Sequence, residues 1–434
     1  MTRIVLSLLT LGAVAAASGD PAPVRLDALL AEARDASPMI RAARAEADAA
    51  AARVAGASSP GEVMVEGART ESPAMRSTML GARLDLPFPG SSILAGRAAS
   101  LAARAAAERA RAVELDVLAR IRTAYYRLAR AAGTLAAAEQ ARDFFRQAAA
   151  VAKARAVTPA RGRTSGAPAG PSTGMGGMGA SAPSGDATAD YLLLEAEAAR
   201  MNPMVVMQAN ERTVAEAELA ELLGRPRDRS RIGTAVLPDL PEPSIDPDRL
   251  VDRALARSPE LLAARSDAAA AGAEAGQMAI MMLPMVSPFY QAERFEMGGT
   301  GRTIGVALSY PIWFWKPAAA WREAVAMRTA KRADAAAREA EVTRMVREEV
   351  SETRAHWSAA VEYRDAVVPL LDQAVRSARG SYEAGRTDVL RLLAGMQQWL
   401  SATTDYYDEA YQYGEHRAAL ERTVGEPIEE VRSR

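Results

Sequence analysis

Cysteine is absent from this chain and histidine nearly so, His356 and His416 being the two present. The first absence excludes disulfides, thiolate metal sites, cysteine nucleophiles and a lipid-bearing N-terminal cysteine. The second leaves metal-hydrolase and histidine acid/base constellations almost no material. Net charge is lacking too, with 53 Lys plus Arg against 54 Asp plus Glu. No long-range field therefore draws the chain to nucleic acid, and none is expected as a partner. There is no "GxxxxGK[ST]" phosphate loop, so any energy for transport must come from elsewhere. No catalytic constellation stands out; the chain reads as a non-enzyme without a cofactor. Beyond the N-terminus, no segment approaches the roughly 20 uninterrupted apolar residues of a membrane helix. If this chain spans a membrane, it does so with strands.

The N-terminus has the form of a secretory signal: Arg3, then the apolar "IVLSLLTLGAV", then Ala15, Ala16 and Ala17. Residues 1–17 are expected to be removed, although a short buried helix would use the same residues.

The rest of the chain is written twice. "SPMIRAARAEADAAAA" from Ser37 returns as "SPELLAARSDAAAAGAEAG" from Ser258, and "STMLGARLDLPFPG" from Ser77 returns as "RTIGVALSYPIWFW" from Arg302. Gly81 then matches Gly305, and Pro87 matches Pro311, at an offset of 224. Downstream, Asp190 of "ADYLLLEAEAA" matches Asp388 of "TDVLRLLAGMQ" at an offset of only 198, so the first half carries about 26 extra residues. Units this long are not solenoid repeats and point to pseudo-symmetry within one architecture. The resulting division is a first repeat over 18–225, a linker over 226–246, a second repeat over 247–427 and a tail over 428–434.

Each repeat predicts one very long helix, from about Ser92 to Arg155 and from about Ala318 to Tyr382. In the first, Leu118, Ile121, Tyr125, Leu128, Ala132 and Leu135 recur at three- and four-residue steps. In the second, Val346, Val350, Trp357 and Val361 form a similar stripe, and Pro369 should kink the helix without ending it. Some 60 residues at 1.5 Å each make roughly 90 Å, too long for a globular core, so such helices must lie side by side. Return helices are expected from about Asp190 to Leu223 and from about Asp388 to Val424, stopped by Gly224 and Gly425.

A hairpin precedes each long helix, at about 62–88 and 287–312. Leu80, Ala82, Leu84 and Leu86 share one face; Met79, Gly81, Arg83 and Asp85 share the other. Ile304, Val306, Leu308 and Tyr310 repeat the apolar face. Strands of about 10 residues with this alternation suit a transmembrane barrel, although a soluble edge hairpin has the same period. The aromatic "YPIWFW" at Tyr310–Trp315 suits a membrane interface. Four strands cannot close a barrel, so several chains must pool theirs, and three copies would supply 12.

In order, spacing and duplication, these motifs resemble the TolC-like outer membrane efflux proteins, or outer membrane factors. The similarity runs from about Leu26 to Pro427, with "YPIWFWKPAAAWREA" and "YEAGRTDVLRLLAGMQQWLSATTDYYDEAYQYGEHRAALERTVGEP" its most specific parts. The resemblance implies a mainly α fold with a membrane β-barrel: a homotrimer in the Gram-negative outer membrane, its 12-stranded barrel continuous with a periplasmic helical tunnel. It implies partnership with outer-membrane lipid, a periplasmic adaptor and an inner-membrane pump. Arg83 and Asp85 would line the barrel lumen. Tyr382, Arg386, Asp388 and Asp190 fall at periplasmic gate positions, although Asp388 and Asp190 also suit plain helix N-caps. Arg391 stands where a second gate aspartate sometimes occurs, and the usual Val-Gly-Leu type turn of the first half is displaced.

It is displaced by the Gly/Met-rich stretch over 158–186, at the expected mouth of the tunnel. Thioethers favour Cu(I) and Ag(I), so Met175 and Met178, with Met201, Met204 and Met207 nearby, could collect soft metal ions. A plain spacer with incidental methionines accounts for the same residues. A soluble periplasmic coiled-coil scaffold is the rival to the channel reading.

Overall fold

A computed structural model describes residues 24–59, 61–72, 75–88, 90–157, 187–225, 232–233, 235–243, 246–310 and 312–428. The expected signal peptide and the whole 158–186 stretch lie outside the described residues.

Helices α1 (Leu26–Ala36) and α2 (Pro38–Ala57) lead into strands β1 (Glu62–Ser72) and β2 (Met75–Asp85), then the 67-residue α3 (Ser91–Val157) and α4 (Ala187–Leu222). The same order follows again: α5 (Pro247–Arg257), α6 (Pro259–Ile280), β3 (Met285–Phe295), β4 (Thr300–Ser309), a long helix and the return helix α9 (Val389–Val424). That second long helix is α7 (Trp315–Glu362) running into α8 (Val368–Glu383) through a π-helical turn at Tyr363–Val367. The turn ends at Val367, two residues before Pro369. A proline has no N–H for the carbonyl one turn back, and widening the helix at that point accommodates the missing bond without ending it. No helix among the described residues is long and apolar enough to cross a membrane.

Terminators fall where the sequence placed glycine. Gly385, at φ +68°, closes α8 by donating to the Tyr382 carbonyl at 2.9 Å, while Arg386 N–H reaches the Ser381 carbonyl at 2.9 Å. This pair of bonds satisfies carbonyls that the helix end leaves open.

The long helix α3 packs against α2 and α4 of its own half and against α6 and α9 of the other. Its buried stripe begins as expected with Leu118, Ile121, Tyr125 and Leu128 but continues through Ala131, Thr134 and Ala138. Ala132 and Leu135 are only half-buried. The seam drifts because a straight helix turns once per 3.6 residues and α3 serves two neighbours at once. By contrast α7 packs mainly on α5, α6 and α9, and no residue before Val342 is buried along it. Gly414 of α9 lies against the Tyr126 ring of α3, where a Cβ would stand 2.4 Å from ring carbon.

The segment between the halves is held at mid-height by three side chains. The Tyr125 hydroxyl lies 2.9 Å from the Val24 carbonyl and 3.0 Å from that of Val236. Trp357 Nε1 donates to Leu240 at 3.1 Å, and the Tyr413 hydroxyl donates to Pro241 at 3.0 Å.

All four strands form one antiparallel sheet in the order β1-β2-β3-β4. Strand β3 starts earlier than the sequence suggested and stops at Phe295, because Gly298 and Gly299 adopt φ of +98° and +116° in the turn. The outer edges of β1 and β4 have no strand partner among the described residues.

Candidate functional site

Strand register decides what the sheet shows to each side. Val63 pairs with Leu84, Val65 with Ala82, Ala82 with Tyr290, and Tyr290 with Ile304. These residues therefore share one face with Leu80, Val306 and Leu308. That face is the bare one: Val65 is 68% exposed, Ile304 83% and Leu308 70%. On the opposite face the two echoed glycines make room for large side chains of β3. A Cβ on Gly305 would stand 2.5 Å from the Phe289 ring, and one on Gly81 would stand 3.1 Å from Gln291. The sheet is inverted relative to a soluble protein, in which the apolar face is the covered one.

Arg83 and Asp85 lie on the more covered face, both half-buried. Arg83 Nε is 3.1 Å from Asp85 Oδ1, and the buried Ser287 hydroxyl of β3 donates to the same carboxylate oxygen at 2.6 Å. The pair is thus anchored across the β2–β3 seam that joins the two repeats. At the junction of sheet and helices, Tyr310, Trp313, Phe314 and Trp315 are all exposed, and the Trp313 and Trp315 rings lie 5.0 Å apart.

At the far end of the long helices, the α8–α9 turn meets the end of α3 and the start of α4. Tyr382 is buried, at 2% exposure, and its hydroxyl donates to Asp190 Oδ2 at 3.3 Å. Burial first, and then the Asp190 carboxylate, push the Tyr382 phenol up to about 12. It therefore remains a donor throughout the physiological range. Arg155, in the last turn of α3, donates to the Tyr382 carbonyl at 2.5 Å and also to the Glu383 carbonyl. Its guanidinium lies over the Tyr382 ring, 4.9 Å from the centroid. One cation thus satisfies carbonyls at the C-terminus of α8 and ties the two helical hairpins together.

The expected gate residues do not all converge here. Asp388 is the N-cap of α9, its side chain accepting from Leu390 N–H. Asp190 lies in the first turn of α4 and is engaged by Tyr382, so the two aspartates differ in role despite their matched positions. Arg386 is exposed, and the bond it is seen to make runs through its backbone. Arg155 was not anticipated, and the one available hint was a basic residue in a last helical turn. Met175 and Met178 lie outside the described residues. Met201 is buried and Met204 packs against the same apolar cluster with Leu194 and Phe145, which leaves Met207 of that trio exposed.

Residues 250–426 match the family profile described as outer membrane efflux protein. No curated protein matches the chain by sequence. Solved structures match it along almost its whole length. VceC, an outer membrane protein of Vibrio cholerae, is 18% identical with a TM-score of 0.74, over 93% of this chain and 97% of VceC. The CmeC outer membrane channel of Campylobacter jejuni is 14% identical with a TM-score of 0.74, over 100% and 95% of the two chains. CusC, known for transmembrane channel formation, is 15% identical with a TM-score of 0.73, over 93% of each. Identities this low carry fold and not cargo, but the shared fold extends through the first repeat, which the profile does not reach. The second repeat thus matches the outer membrane efflux protein profile, and the chain as a whole has the fold of these solved channel structures.

Proposed function

We propose that this protein is the outer-membrane duct of a tripartite efflux system, working with a periplasmic adaptor and an inner-membrane pump. Three chains would pool four strands each into a closed barrel, and their long helices would continue as a periplasmic tunnel. The observation that carries this reading is the inverted sheet, with its apolar face bare and both outer edges without a strand partner among the described residues. Closure with other copies removes the edges and turns the bare face to lipid. Helix packing supports the same assembly. Within the chain α3 packs on α6 and α9, whereas the equivalent helix α7 packs mainly within its own half. In a ring, α2 and α4 of the next copy would complete it, covering Leu192, Leu193, Val206 and Met207, which are exposed on α4.

Native mass and fractionation test the proposal. The expected species is detergent-dependent, is found in the outer-membrane fraction and has about three times the chain mass. A soluble monomer obtained without detergent would support the coiled-coil scaffold instead.

In this reading the contacts among Arg155, Tyr382 and Asp190 hold the tunnel mouth shut, and Arg83 with Asp85 line the barrel. For cargo we propose soft metal ions, Cu(I) or Ag(I), collected at the mouth by Met175 and Met178. Deleting residues 166–184 is then expected to lower growth on copper while leaving growth on a hydrophobic drug unchanged. Equal effects on both would remove the metal assignment and keep the duct.

A further inference from the structure

The chain's two histidines are 60 positions apart in sequence, yet they meet face to face across α7 and α9. The rings of His356 and His416 lie 5.2 Å apart, their planes within 7° of parallel. Each ring is held at Nδ1 by a carboxylate from the opposite helix: His356 by Glu409 Oε2 at 2.7 Å, and His416 by Glu349 Oε2 at 2.9 Å. A histidine that gives its Nδ1 proton to a carboxylate presents Nε2 as a lone pair, in a fixed orientation and with raised basicity. Metal-binding histidines are typically prepared in this way. His356 Nε2 in turn lies 3.7 Å from Glu352 Oε2. One ligand atom from each of Glu352, His356 and His416 falls within 4.8 Å of the others. The two rings are half-buried and Glu352 is exposed, so an ion could enter from that side and a rotation of the Glu352 side chain could bring its carboxylate in as the third ligand.

The first repeat provides a comparison. At the offset of 198 set by Asp190 and Asp388, Glu409 corresponds to Glu211 and His416 to Glu218. There Arg127 bridges both carboxylates, its Nη2 2.7 Å from Glu211 and its Nη1 3.1 Å from Glu218. A guanidinium built into the chain joins α3 to α4 in the first repeat. The corresponding helices of the second repeat are joined through two imidazoles and three carboxylates.

From this geometry we infer that His356, His416 and Glu352 bind a divalent transition-metal ion of the zinc or copper(II) type, cross-linking α7 to α9. Two imidazoles and a carboxylate suit such borderline cations, with water in the remaining position. The site sits about 40 Å along the helix from the α8–α9 turn, at 1.5 Å per residue, and is distinct from the methionines of the insert. The inference does not depend on what the protein transports.

The test is titration of the untagged, metal-free full chain in detergent with Zn2+, a probe that thioethers bind poorly. One ion per chain is expected, with a dissociation constant below about 10 µM. Glu352→Gln and His416→Asn should each weaken it by about 10- to 100-fold. With Cu2+ instead, electron paramagnetic resonance should show hyperfine coupling to two nitrogens. Because Glu352 is exposed, its variant tests the site even if the histidine variant fails to fold. Absence of stoichiometric binding by folded protein, binding unchanged in Glu352→Gln, or a copper signal without nitrogen coupling would each overturn the inference.

Discussion

In the proposed outer-membrane duct, Ile304→Arg is expected to remove the protein from the outer membrane, while Thr303→Arg leaves it there. The two positions are adjacent on β4, so intrinsic strand preference and distance from the turn are nearly the same for both. They differ in side: Ile304 continues the bare apolar row with Val306 and Leu308, whereas Thr303 pairs with Gln291 on the opposite face. An arginine facing lipid near the middle of a barrel costs roughly 2–4 kcal/mol, and three copies in one barrel multiply that to roughly 6–12 kcal/mol. That exceeds much of the stability a folded assembly usually has in reserve. An arginine facing a watery lumen carries little such cost. Fractionation followed by non-denaturing electrophoresis reads the result. Equal loss for both variants would point to a generic folding defect, and no loss for Ile304→Arg would remove the lipid-facing assignment.

The second large effect is expected at the opposite end. In the proposed duct, Arg155→Ala should raise single-channel conductance in planar bilayers and admit a large hydrophilic antibiotic that the outer membrane normally excludes. Without Arg155, the α8–α9 turn loses a cation that bonds two helix-terminal carbonyls and covers the buried Tyr382 ring. Hydrogen bonds from charged donors contribute about 1.5–3 kcal/mol each, so the balance between closed and open mouths should move by roughly 10- to 100-fold per chain. Tyr382→Phe removes one longer bond to Asp190 and keeps the ring, so its effect should be smaller. Arg386→Ala is expected to change conductance least, since its side chain is exposed in the single chain. Unchanged conductance in a correctly assembled Arg155→Ala channel would place the latch elsewhere.

Features set by local chemistry or by the duplication were legible in the sequence. The alternation along Leu80–Leu86 and Ile304–Tyr310 gave the two sheet faces, because side chains alternate strictly along a strand. Gly224 and Gly425 marked helix ends, because a left-handed residue there is chemically restricted. Arg155 was not legible, because its partner Tyr382 is 227 positions away and the contact is to backbone carbonyls, which every residue has. The same holds for the histidine pair, whose meeting depends on how α7 lies along α9. Asp190 and Asp388 looked equivalent by alignment. The structure distinguishes them because Asp190 has the buried Tyr382 opposite it, whereas Asp388 caps the first turn of α9.

In the proposed three-chain barrel, the edges of β1 and β4 that have no strand partner among the described residues also have a genetic meaning. A barrel assembled from three contributions fails if any one is faulty, since a single unpaired seam leaves backbone amides and carbonyls in hydrocarbon. A hairpin mutation would therefore behave as dominant in a cell that also makes the normal chain. The share of intact pores would fall as the cube of the normal chain's share of the pool.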